Sequence, residues 1–304
     1  VPAAAVYIYG SGAGPRGAID NEWRASEESA GTLFLVLSPS GEARVEATLG
    51  EASTTELDLY ELDHVVEYLS GIGRPMYLDI TQLPYALWAP LLKAALDVPQ
   101  ALHVVYRAPN EYVESDFNER GVLFDLSETI RGVRPLPGFA KISAEHEDNK
   151  LVVPLLGFEG NRLGYIVETV QEPAESVHPV VGVPGYRLDY PFSAWAGNQD
   201  PLADGFMFRR VRFAKASCPF SVFGLLEDIA RDEDDPYLIV APIGTRPHGV
   251  GAILFALTNP GRVEIVYDHP VPREDAARGV HRVCTYDISG FLLDRAADES
   301  RVDH

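Results

Sequence analysis

Short apolar runs alternate with amphipathic or Ala/Leu-rich stretches along most of the chain. In the C-terminal half, Leu151–Leu156, Val180–Val183, Arg210–Phe213, Tyr237–Ala241 and Val263–Tyr267 have the length and β-branched content of strands. Between them Arg162–Val170 and Phe220–Arg231 carry helical spacing. The N-terminal half is less regular. Ala4–Tyr9, Leu33–Leu37 and Arg44–Thr48 read as strands and Leu57–Leu69 as an amphipathic helix. Strands alternating with helices predict a doubly wound parallel sheet.

The pattern repeats. Pro75–Pro109 and Pro236–Pro270 align without a gap at an offset of 161 residues, Pro75 to Pro236. Identical pairs include Ala95/Ala256, Leu96/Leu257, Pro99/Pro260, Val105/Val266 and Tyr106/Tyr267, and the hydrophobic pattern agrees almost throughout. Each copy reads as strand, helix, strand: Met76–Ile80, Tyr85–Leu96 and Leu102–Tyr106 in the first, and Tyr237–Ala241, His248–Leu257 and Val263–Tyr267 in the second. The helices stop at Asp97-Val98-Pro99 and Thr258-Asn259-Pro260. The expectation is an α/β protein of two related Rossmann-like halves, with mainly parallel sheets and helices on both faces. The halves span residues 1–115 and 151–304. The Pro/Gly-rich polar stretch 116–150 is their linker, although Val122–Ile130 can hold structure, and the charged tail Asp294–His304 is expected to fray.

Composition narrows the class. The chain of 304 residues is 46% hydrophobic and 23% charged, which is globular, and it has no apolar run long enough to cross a bilayer. Val1–Gly10 lacks a basic lead and reads as a strand rather than a signal peptide, and the absence of an initiator Met leaves room for an upstream segment. The net charge of −20 repels phosphate backbones and anionic lipid, arguing against membrane and general nucleic-acid binding, but leaves room for a local basic pocket. Cys218 and Cys284 lack CxxC spacing and read as two buried thiols in a reducing cytoplasm. The histidines (His64, His103, His146, His178 and His281 among them) show no HxH or HExxH spacing, so no metal is expected. Gly10–Gly14 is glycine-rich but lacks the Lys-Ser/Thr of a P-loop. No GxSxG elbow appears, no catalytic set is assigned, and no cofactor is expected.

Ligands of open α/β sheets bind beyond the carboxyl ends of the strands, and that rule selects four loops. In Gly244-Thr245-Arg246-Pro247-His248, Thr245 caps a helix whose N-terminus, with Arg246, suits a phosphate; an ordinary capped turn explains the same residues. In Gly157-Phe158-Glu159-Gly160-Asn161-Arg162, Glu159 suits a ribose hydroxyl or a base and Arg162 a phosphate, with Asn161 beside them. In Gly182-Val183-Pro184-Gly185-Tyr186-Arg187, Tyr186 can stack on a base and Arg187 can pair with phosphate. In Asp79-Ile80-Thr81, the Asp either contacts ligand or caps the next helix. Asp268-His269 invites a metal or acid–base reading, but adjacent strand residues face opposite sides.

The strand–GTRPH–helix stretch resembles the GTKP-type loop of CARF domains, Rossmann-like sensors of cyclic oligoadenylate in CRISPR immunity. A tandem pair of such units resembles SAVED domains of prokaryotic antiviral defence systems. The resemblance implies that Gly244, Thr245, Arg246 and His248 touch ligand phosphates and bases. The first copy, Asp79-Ile80-Thr81-Gln82-Leu83-Pro84, departs from the motif, which argues against a ligand held identically by both halves. No effector domain is visible, so the resemblance implies a nucleotide or cyclic-oligonucleotide ligand and a partner effector protein. Two other readings stand beside it. One is an enzyme acting on a nucleotide or nucleic-acid fragment, with Glu159, Asp79 or His248 as acid–base groups. The other is a structural subunit, which a broad exposed apolar face would favour.

Overall fold

The computed structural model describes residues 4–12, 14, 16–50, 54–115, 124–139, 149–203, 205–273 and 276–302. Of the expected linker, 116–123 and 140–148 (His146 included) lie outside the described residues, as do Ala13 of the glycine-rich stretch and 303–304 of the tail. Two compact units divide the chain: Val1–Asn110 together with Gly279–His304, and Glu111–Arg278.

The chain begins with β1 (Val6–Gly10), α1 (Asn21–Ser29), β2 (Leu33–Pro39), β3 (Arg44–Leu49), β4 (Thr54–Asp58), α2 (Leu62–Ile72), β5 (Met76–Asp79), α3 (Tyr85–Leu96) and β6 (Leu102–Ala108). The second unit holds β7 (Glu111–Tyr112), β8 (Ser127–Ile130), β9 (Lys150–Pro154), α4 (Gly160–Val170), β10 (Val180–Gly182), α5 (Tyr190–Gly197), α6 (Gly205–Arg209), β11 (Arg212–Ala214), α7 (Pro219–Asp232), β12 (Tyr237–Ala241), α8 (Arg246–Thr258), β13 (Val263–Ile265), β14 (Pro270–Pro272) and β15 (Ala277–Arg278). The first unit is then resumed by β16 (Arg282–Asp287) and α9 (Ile288–Val302).

A seven-stranded sheet, β16-β6-β5-β1-β2-β3-β4, forms the first unit. Its centre, β6-β5-β1-β2, is parallel, and antiparallel strands flank it on both sides. Alternation along the central strands sends Tyr7, Tyr77 and Val105 to one face, where they pack with Phe34 and with Trp23 of α1. The opposite face receives α2 and α3, which pack together and bury Val65, Leu69 and Trp88. Asp20 starts α1 by accepting from the Trp23 amide, and Gly73 ends α2 in the left-handed region that glycine adopts without a Cβ clash.

The second unit is built on parallel strands. β13-β12-β9 form one ladder and β10-β11 another, and the bridges Val152–Val177 and Leu155–Val180 join them. In chain order the strands lie 3-2-1-4-5. The sheet face of Val152, Val181, Tyr237 and Ile239 packs against Leu163 and Ile166 of α4 and Ala194 of α5. On the other side α7 packs on α8, which is buried along most of its length. Two short antiparallel ladders, β14-β8 and β15-β7, complete the unit.

Several expectations change. The stretch Leu57–Leu69 divides between β4 and α2, because Thr54–Asp58 completes a hairpin with β3 that the Arg44–Asp58 ion pair closes at 3.0 Å. The described part of the expected tail, 294–302, continues α9, whose start is anchored on β6: Ile288 is fully buried and Ser289 Oγ accepts the Leu102 amide at 2.8 Å. Residues 279–302 therefore belong with the N-terminal unit rather than with residues 151–278. Part of the expected linker is ordered structure: β8 pairs with β14, and Arg134 bridges to Tyr267. Cys218 and Cys284 are free and half-buried rather than buried.

Candidate functional site

The five strands β9 to β13 of the second unit's main sheet run the same way, so the loops after β9, β10, β11 and β12 emerge at one edge. The chain reverses its direction of travel between β9 and β12, the position at which a crevice opens in such sheets. Three of the four loops selected from the sequence belong to this edge.

Two of them touch backbone to backbone. A Cβ on Gly244 would stand 2.3 Å from the Leu156 carbonyl oxygen, and one on Gly157 would stand 2.7 Å from that of Ile243. Only glycine at both positions allows this approach. Asn198, fully buried at the end of α5, donates through Nδ2 to the Gly157 carbonyl at 2.8 Å and holds the loop from behind. The Thr245 hydroxyl accepts the His248 amide and donates to the Ala216 carbonyl at 2.8 Å, so one side chain caps α8 and ties the loops after β11 and β12 together.

His248 lies beneath these loops rather than in them. It is fully buried, with Nε2 3.2 Å from the Lys215 carbonyl oxygen and Cε1 beside Gly182. Burial pushes its imidazole down to about 4, against a smaller upward pull from the Lys215 and Ala214 carbonyls, so the ring is neutral at physiological pH. In this position His248 supports the loops from below through the Lys215 carbonyl.

Glu159 and Arg162 also have internal partners. Glu159 Oε1 accepts the Leu126 and Ser127 amides at 2.9 and 2.8 Å, and Oε2 accepts the Ser127 hydroxyl at 3.0 Å. Arg162 forms a bidentate pair with Asp268, at 2.7 Å from Nε and 2.6 Å from Nη2, while Nη1 donates to the Ile243 carbonyl at 3.1 Å. Burial opposes the Arg162 charge, but the Asp268 hydrogen bonds and the nearby Asp268 and Glu159 charges outweigh it and fix the guanidinium protonated. Through these partners the two side chains hold loops in place.

Asp79 and Thr81 lie in the first unit, at the carboxyl end of β5. Asp79 accepts from Tyr7 at 2.7 Å and pairs with Arg107 at 3.1 Å; its other oxygen accepts the Thr81 amide at 2.9 Å. Thr81 Oγ1 accepts the Arg107 amide at 2.9 Å. Both are buried and form a strand-end cluster with Tyr7 and Arg107.

At the edge of the second unit, Asn161, Arg187 and Lys215 are exposed, and Gly157, Gly244, Thr245, Arg246 and Tyr186 are partly so. Arg187 pairs with the exposed Asp189 at 3.2 Å. The N-termini of α7 and α8 both open here, bringing positive dipole ends beside Lys215 and Arg246, while the nearby carboxylates of Glu159 and Asp268 are matched internally. The balance favours an anion. Lys215, Asn198 and Asp268 contribute to this site but were not selected as binding residues from the sequence. Asp268 is marked in the sequence by its pairing with His269 and by the repeat alignment, which places it opposite Arg107.

A depression of about 420 Å3 lies at the opposite, amino end of the same sheet, lined by Glu227, Arg231, Asp234, Asp235, Phe255 and Asn259. Its carboxylates disfavour an anion, and it is remote from the converging loops. Among the described residues, no three metal-ligating side chains come together, and no helix is long and apolar enough to cross a membrane. No family model matches the sequence, and no curated protein is significantly similar to it.

Proposed function

We propose that the chain is a nucleotide-sensing module that binds a phosphate-bearing nucleotide or cyclic oligonucleotide at the strand ends of its second unit and signals to a partner effector protein. The reading places it, in the manner of CARF and SAVED domains, in a cytoplasmic antiviral defence system of a prokaryote. The observation that carries the proposal is the convergence of the β9, β10, β11 and β12 loops around two helix N-termini with Lys215 and Arg246 beside them. In this reading Gly157 and Gly244 shape the floor, Thr245 positions the α8 terminus, Arg246 and Lys215 meet phosphate, and Tyr186 meets a base. The two halves are proposed to be related by duplication. In support, β5-α3-β6 and β12-α8-β13 fall where the alignment equates them and flank the first strand of their sheet in the same way. The groups that an enzyme reading needs, Glu159, His248 and Asp79, all have internal partners, which favours binding over turnover.

The test is a thermal-shift screen against mono-, di- and cyclic oligonucleotides, with product analysis of each mixture. A binder stabilises the fold by mass action, and the expected result is a shift with the ligand recovered intact. Arg246→Ala and Lys215→Ala should each weaken that ligand by about 1–3 kcal/mol, the worth of a charge-assisted hydrogen bond. No shift with any nucleotide at millimolar concentration would end the proposal.

A further inference from the structure

One face of the second unit carries large apolar side chains in water. Phe192 on α5 is 77% exposed, Phe208 on α6 is 55% and Phe213 on β11 is 59%. Leu188, in the loop before α5, is 93% exposed. The three rings lie on one side of the unit. Trp195 lies about one helical turn after Phe192, and its ring meets that of Phe208 edge-on at 5.3 Å. Phe213 is in register with Val181, so both side chains leave the same face of the sheet, and Val181 packs in the core cluster that contains Ala194 of α5 and Met207 of α6. β11 is the last strand on its side, so nothing within this unit's sheet covers Phe213 from beyond it.

We infer that this aromatic face is the contact by which two copies of the chain form a symmetric dimer. Area supports a partner of that size. At ~200 Å2 for a whole aromatic side chain, the exposed parts of Leu188, Phe192, Phe208 and Phe213 amount to roughly 500–600 Å2 of apolar surface. A standard interface buries about 800 Å2 on each partner, a little over half of it apolar, so the patch alone supplies the apolar share. Charge selects the face. Two chains of net charge −20 repel each other, and they approach most easily where the local charge is not negative. Next to Phe208 stands Arg209, exposed and without an ion-pair partner among the described residues. On the other face of the same strand, Arg212 lies 4.0 Å from Asp232, and Arg210 pairs with Glu233 at 3.0 Å, so that side offers no comparable unmatched charge. Aromatic rings with an arginine at the edge match the composition of protein interfaces.

The inference does not depend on the proposed ligand, and its test uses none. The molar mass of the full chain is measured by light scattering and sedimentation from about 1 to 100 µM, a range that reports interfaces of this size. The expected mass at the upper end is twice the 33.3 kDa of one chain. Raising the salt should strengthen the dimer, since screening weakens the mutual repulsion and leaves apolar contact intact. Phe208→Asp combined with Phe213→Asp should leave the monomer mass at every concentration with the far-UV spectrum retained. Phe192→Arg alone, on a fully formed helix, should raise the dissociation constant at least tenfold, and guards against misfolding of the double variant. A wild-type mass of 33.3 kDa throughout overturns the inference and leaves the face to a different protein. A dimer that persists in folded Phe192→Arg and Phe208→Asp/Phe213→Asp chains overturns it as well, since the contact then lies elsewhere.

Discussion

Arg162 is a guanidinium almost out of water, 8% exposed, and a charge so placed needs a complete set of acceptors. Asp268, itself fully buried, supplies two of them, and removing it strands the cation among Ile243, Tyr267 and Glu159. Asp268→Ala should therefore cost about 3–5 kcal/mol of stability, read as a lower urea midpoint at unchanged slope. Replacing both partners with apolar residues, Arg162→Met with Asp268→Leu, should recover most of that loss, because neither charge is then desolvated. A double variant as unstable as the single one would mean that the Ile243 carbonyl, rather than the charge, is the decisive loss. His248 gives a second prediction at this scale. Its folded-state value of about 4 lies below the ordinary 6.5, so between those values the unfolded chain takes up a proton that the folded chain refuses. Stability is then highest above pH 6.5 and falls as the pH drops toward 4, by roughly 3 kcal/mol for this one ring. His178, pushed down to about 4 by burial and by Arg210, acts in the same direction. His248→Gln keeps a donor toward the Lys215 carbonyl but does not titrate, so chemical denaturation from pH 7 to 4 should show a shallower loss in the variant.

Elements were legible where a local pattern dictates them, and less so where a partner distant in sequence does. Tyr85–Leu96 and Tyr237–Ala241 form as read, because an Ala/Leu-rich run before Asp97-Val98-Pro99 and a wholly apolar pentapeptide have few alternatives. Leu57 and Asp58, the end of β4, read as the start of a helix because Leu57 continues the spacing of α2, and only pairing with β3 decides otherwise. β16 carried no legible signal: its strand, Arg282–Asp287, is mostly exposed and depends on β6. The candidate loops were legible as loops, since strand–Gly–helix junctions mark them, but the internal partners of Glu159 and Arg162 were not. Those partners, Ser127 and Asp268, come from distant segments. The repeat shows the same limit. Arg107 and Asp268 occupy aligned positions with opposite charge, and each closes a buried Arg–Asp pair with a residue from a different element, Asp79 at the end of β5 and Arg162 on α4. At this scale the contact between the β9 and β12 loops yields the next prediction. Gly244→Ala drives a methyl into the Leu156 carbonyl, and the backbone shift should cost about 1–3 kcal/mol and lower the melting temperature. An unchanged melting curve would show that the two loops can separate freely.

At the scale of the whole chain, the second unit is an insertion in the first. β6 ends at Ala108, and its antiparallel partner β16 begins with Arg282, paired directly with Ala108. Everything in Glu111–Arg278 leaves and returns at that one point, so the two ends of the insertion are fixed close together by a ladder of the host sheet. The arrangement differs from two halves in tandem, and it assigns independence unequally. Glu111–Arg278 is continuous and encloses its own five-stranded parallel order, core cluster and helix pair, so expressed alone it should fold and melt cooperatively. Residues 1–110 alone lack β16 and α9. They leave β6 as an open edge, with the Leu102 amide deprived of Ser289 and Ile288 missing from the core. That fragment should be poorly folded, whereas joining Asn110 to Gly279 through a short Gly-Ser turn should restore a cooperative host, because Ala108 and Arg282 are already cross-strand neighbours. Circular dichroism melts of the three proteins decide the matter. If 1–110 melts as sharply as the joined host, β16 and α9 are accessories rather than structural members, and the insertion lies outside the folding unit instead of interrupting it.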